Sequence, residues 1–113
     1  MDALISNIGH RGTVRPAWCA VDYHDEPHPE DRRCESEVVP VPTVMLFRFR
    51  SQVTGRIEQV ADVADFSIVA TQWAGDAEVW VRIGGDAQRI EVTLESARRL
   101  HRTLGVFLAD NFG

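Results

Sequence analysis

The sequence predicts an α+β domain: an antiparallel sheet of about four strands with one C-terminal helix packed on it, preceded by an irregular, metal-stapled N-terminal segment. Three observations carry this reading. All five prolines lie at or before Pro42, while all five phenylalanines come after it. From Thr43 onward apolar and polar residues begin to alternate, the period of a half-buried strand. From Ala97 onward apolar residues recur at intervals of three and four, the period of an amphipathic helix.

The elements follow in order. Residues 1–13 read as a flexible N-terminus, with Leu4, Ile5 and Ile8 available to dock a short turn. Residues 14–42 read as a zinc-binding loop segment, too punctuated by proline for long helices or central strands. Pro40-Val41-Pro42 reads as a stiff connector. Thr43–Arg50 is the first strand, with Met45, Phe47 and Phe49 on one face and Arg48 and Arg50 on the other. Thr54-Gly55 marks a turn into a weak strand at Arg56–Val60. Phe66–Trp73 and Glu78–Ile83 are stronger strands joined by a hairpin loop at residues 74–77, and Gly84-Gly85-Asp86 turns the chain into Gln88–Val92. Thr93 has the side chain of an N-cap, and Glu95 sits where the helix dipole favours an anion. Ala97, Leu100, Leu104, Phe107 and Leu108 form the stripe expected to lie on the sheet. Residues 14–42 and 43–113 together make one compact domain.

Composition narrows the function. The chain has 113 residues and a formal net charge of −5, seventeen acidic against twelve basic residues. That balance opposes non-specific nucleic-acid binding, which needs cations to neutralise phosphates. All twelve basic residues are arginine, so no phosphate-loop lysine, Schiff-base lysine or Ser-x-x-Lys pair exists. No apolar run approaches the roughly 20 residues that cross a bilayer, and no basic start is followed by an apolar stretch. The expected location is the cytoplasm, without membrane association.

The most informative constellation is Cys19, His24, His28 and Cys34, borderline-soft ligands at spacings suited to a tetrahedral Zn²⁺. Pro27 and Pro29 hold the backbone of His28 near extended geometry, so ligation would come from a loop. A Cys19–Cys34 disulfide is the competing use of the thiols, but it fits poorly with a cytoplasmic protein and leaves both histidines unexplained. A solvated acidic loop is the plainer alternative. Four protein ligands would close the tetrahedron and leave no water to activate, which makes the expected zinc structural. Catalysis would need a missing ligand and Glu26 or Asp31 as general base. His10 is a spare ligand and His101 a structural residue of the helix.

With these residues in view, the sequence resembles a group of small actinobacterial proteins of unknown function. The matching stretches are Pro16-Ala-Trp18-Cys19, His24, His28-Pro29-Glu30-Asp31 and Val92-Thr93-Leu94-Glu95-Ser96-Ala97-Arg98-Arg99-Leu100. The resemblance covers roughly residues 14 to 108, and its motifs are short. In that group the place of Cys34 is usually histidine, an exchange that a zinc ligand tolerates. Many members also carry cysteine where this chain has Arg15. The group brings no established activity.

The resulting expectation is a non-enzymatic, zinc-stabilised interaction module, a regulatory or accessory protein that self-associates or binds a protein partner. Its contact surface would be the sheet's second face, where Trp80 and Trp73 accompany Arg48, Arg50 and Arg82, an aromatic–arginine mixture typical of interfaces. The same rings are equally able to stack locally with arginines. Two alternatives remain: a nucleic-acid-associated regulator working with a helix-turn-helix partner through Arg98, Arg99 and Arg102, and a zinc-dependent hydrolase.

Overall fold

A computed structural model describes residues 16–113 of the chain. The expected flexible segment 1–13 and His10 lie outside these described residues. Six strands form one antiparallel sheet: β1 Val21–Asp22, β2 Arg33–Glu35, β3 Val39–Arg50, β4 Ile57–Trp73, β5 Trp80–Gly84 and β6 Arg89–Thr93. A single helix, α1, runs from Leu94 to Phe112. The α+β class and the C-terminal helix thus match the sequence reading, while the strand count is higher.

Strand β4 organises the sheet. One of its edges pairs with β3 along residues 57–68 and then with β2 at residues 71–73. Its other edge pairs with β5 only at residues 67–71. Between Ile57 and Phe66, β4 therefore forms a long two-stranded ribbon with β3. The sequence suggested two strands here, Arg56–Val60 and Phe66–Trp73, because Ala61, Asp62, Ala64 and Asp65 are weak strand formers. An unbroken ladder to β3 overrides that local preference. Its far end closes through Ser51, whose N–H donates to the Arg56 carbonyl at 2.8 Å and whose carbonyl accepts from Gly55 N–H at 2.8 Å.

Pro40 and Pro42 lie inside β3 rather than in a connector. They are tolerated because β3 is an edge strand, where a missing N–H costs no ladder bond if it faces outward. The two prolines are two residues apart, so both present the same edge.

The N-terminal segment also joins the sheet. Strand β1 pairs with β2, and β2 pairs with the end of β4. Ser36 seals the step from β2 to β3: its N–H donates to the Ala70 carbonyl at 2.9 Å, and its hydroxyl oxygen accepts the Ala70 N–H at 2.8 Å. A short 3-10 turn over Pro29–Asp31 lies between β1 and β2. Backbone pairing ties this segment down.

The expectation that the helix packs on the sheet needs correction. No residue of α1 is buried, and every residue from Arg98 onward is exposed. The cause is the junction. Thr93 ends β6 and also caps α1, accepting the Ser96 N–H at 3.1 Å. With no loop between strand and helix, α1 continues away from the sheet instead of turning back over it. Among the described residues the buried apolar side chains are Cys19, Val69 and Val81. The radius of gyration is 19.1 Å, against about 13 Å for a compact chain of roughly this length.

Two turn glycines test the hairpins. Gly84 has φ +139°, and a Cβ there would collide with the Gln88 carbonyl oxygen, whereas Gly55 at φ +73° has open space around it. Gly84→Ala should therefore cost at least about 3 kcal/mol, and Gly55→Ala only about 1–2 kcal/mol. Urea unfolding checks the ranking; equal midpoints for the two variants would contradict it.

Candidate functional site

Alternation along β4 sorts the sheet into two faces. Register places Val41, Met45, Phe47, Val60, Phe66, Ile68, Val81, Ile83, Ile90 and Val92 on one face. This face is apolar across β3, β4, β5 and β6, interrupted on the ribbon by Thr43, Glu58 and Asp62. A depression of about 490 Å³ opens where the ribbon meets the β5–β6 turn, lined by Met45, Phe47 and Phe66 together with Arg82 and Arg89.

The other face carries all five residues of the expected contact surface. Trp80 lies opposite Thr71, Arg82 opposite Val69, Arg48 opposite Gln59 and Arg50 opposite Ile57, with Trp73 following on the same side of β4. They do not form one patch. Gln59 and Thr71 are separated by roughly 40 Å along an extended strand, so Arg48 and Arg50 sit at the ribbon end and the tryptophans at the opposite end. Arg48 Nε donates to Gln59 Oε1 at 2.8 Å, and Arg50 donates to the Gly55 carbonyl at 2.6 Å.

The arginine that does meet the rings is Arg33. Its guanidinium lies 4.2 Å from the Tyr23 ring centroid and 5.2 Å from that of Trp73. It also donates to Glu35 at 3.2 Å and to the Asp31 carbonyl at 2.7 Å. Cation–π attraction of this kind fastens the loop segment to the sheet edge. Sequence reasoning missed Arg33 because its partner Trp73 is distant in the chain and becomes its neighbour only through the β2–β4 register.

The four expected zinc ligands are placed as follows. His24 and Cys34 line one cavity of about 220 Å³, together with Asp22, Gln72 and Asp76. Cys19 is buried, and its thiol donates to the Val21 carbonyl at 3.4 Å. His28 caps the 3-10 turn through its backbone carbonyl, which accepts the Asp31 N–H at 2.9 Å. Cys19 and Cys34 are not joined by a disulfide. No group of three or more histidine, cysteine, aspartate or glutamate side chains is gathered for a metal among the described residues. The donor chemistry suits zinc, but this arrangement does not assemble the tetrahedron.

Beside the same cavity, Asp76 shapes the β4–β5 turn. Its carboxylate accepts the Glu78 N–H at 2.9 Å and the Trp80 indole N–H at 3.1 Å. The Glu78 bond first, and the Trp80 bond second, hold its pKa below the ordinary 3.8. A depressed pKa means that this stabilisation is complete above the unfolded value and is lost as pH falls through the folded one. The Trp80 indole N–H resonance should therefore titrate with a midpoint below 3.8, and Asp76→Asn should remove that titration. A midpoint at or above the ordinary value would contradict the assignment.

No helix among the described residues is long and apolar enough to cross a membrane. No curated protein and no solved structure matches the chain. Residues 3–110 match the family described as a domain of unknown function, DUF6907, and the chain belongs to that family.

Proposed function

We propose that this chain is a non-enzymatic interaction module, a regulatory or accessory protein that works by self-association or by binding a protein partner. One observation carries the reading: apolar side chains lie open on both the sheet and the helix. Phe49, Val60 and Ile90 of the apolar sheet face and Leu104, Phe107 and Leu108 of α1 are each about half exposed. Contiguous apolar surface of this kind marks interaction sites in proteins that stay in solution. A domain ordinarily buries such surface between two layers, and here the sheet supplies one.

Sedimentation velocity of the full chain at micromolar concentration tests the proposal. A mass above that of the monomer is expected. A folded species that remains monomeric across the accessible range would contradict self-association.

A structural zinc at Cys19, His24, His28 and Cys34 is a separate proposal, favoured by the shared cavity of His24 and Cys34. Binding would require His28 and Cys19 to turn toward that cavity. Metal content by mass spectrometry decides it: His28→Ala and Cys34→Ser should each lose zinc that the unaltered chain retains. Equal zinc content in all three proteins would remove the metal from the account.

A further inference from the structure

We propose that the partner is a second copy of this chain, and that α1 of each protomer lies across the other's apolar sheet face. The inference rests on the interaction-module reading and names both its partner and its contact.

The helix needs a surface that its own sheet does not provide. Most helical stability in proteins comes from packing an apolar face rather than from propensity. Helix α1 also contains Gly105 and the β-branched Thr103 and Val106, all weaker helix formers than alanine. Yet Leu100, Leu104, Phe107 and Leu108 are between 47% and 57% exposed. Thr93 both completes the β6 ladder opposite Trp80 and caps α1, with no loop between them. Contact in trans preserves both.

The sheet face is the matching half. Along β4 this face runs from Val60 to Ile68, apolar but for Asp62, over about 27 Å, and the nineteen residues of α1 span about 28 Å. The opposite face exposes Val44, Leu46 and Val63 on the ribbon but carries Arg48, Arg50, Asp65, Arg82, Arg89 and Glu91, against Glu58 and Asp62 on the first, and so is the poorer seat.

The apolar residues left open point to a second copy: Phe49, Val60 and Ile90 on the sheet face and Leu100, Leu104, Phe107 and Leu108 on α1 are each about half exposed. One chain also carries both the uncovered helix and the uncovered face. A two-fold arrangement covers both pairs at once and closes, without leaving a further surface to extend into a filament.

The test uses the full chain. Sedimentation equilibrium should give twice the monomer mass, and Leu104→Glu should weaken dimerisation at least about 100-fold, since it would bury an unpaired carboxylate. Trp80→Ala, on the other face, should leave the dimer intact. Amide hydrogen exchange on the unaltered protein reports independently of whether Leu104→Glu folds: the α1 amides should be protected at high concentration and lose protection on dilution. A dimer whose α1 amides exchange rapidly at every concentration, or one that Leu104→Glu leaves intact, would overturn the helix-on-sheet contact while preserving self-association. A monomer at all concentrations, including one that binds a different protein, would overturn the second-copy assignment.

Discussion

Strand β4 is the constraint on which the rest of the structure depends. Three strands pair with it directly, and the remaining two reach it through β2 and β5. Its length follows from continuous pairing with β3, because the Ala61–Asp65 stretch has little strand preference of its own. Since β2 and β3 share one edge of β4, the N-terminal segment and the ribbon are parts of one ladder. The Ser36–Ala70 exchange marks where one strand hands over to the other.

This single ladder also explains why so little is buried. A sheet with one uncovered layer hides few side chains, and Val69 and Val81 are buried where β4 and β5 run side by side. The helix could have supplied the second layer, but the absence of a loop after Thr93 sends it outward. Local chemistry and global packing therefore pull apart in an isolated chain. The cap, the Glu95–Arg99 ion pair at 3.2 Å and the apolar stripe all favour a helix, whereas among the described residues α1 has no buried position. The proposed association in trans would reconcile them, giving the consistency expected of a sequence that specifies one structure.

Much of this was legible where local signals act alone. The expected strand at Gln88–Val92 became Arg89–Thr93, and Thr93 is the cap that its side chain suggests. The hairpin at Gly84 was readable because glycine accommodates a positive φ that other residues rarely adopt. Strand β1, strand β2 and the start of β3 were obscured by Pro40, Pro42 and the acidic loop, since edge pairing leaves no strong periodicity. The direction of α1 was hidden because an amphipathic stripe reports that a face will be covered, but not by which chain. At the candidate site, His24 and Cys34, which the spacing groups as ligands, line one cavity, while the Arg33 contact with Tyr23 and Trp73 depends on a long-range register that no local pattern encodes.

The central claim is that the sheet and helix are completed by association, so that folding and assembly are linked. Mass action then requires stability to depend on protein concentration. Urea unfolding followed by far-ultraviolet circular dichroism across a hundredfold range of concentration tests this most directly. The account predicts a midpoint that rises steadily with concentration. A midpoint that stays the same across that range would show that the isolated chain is stable by itself, and would contradict it.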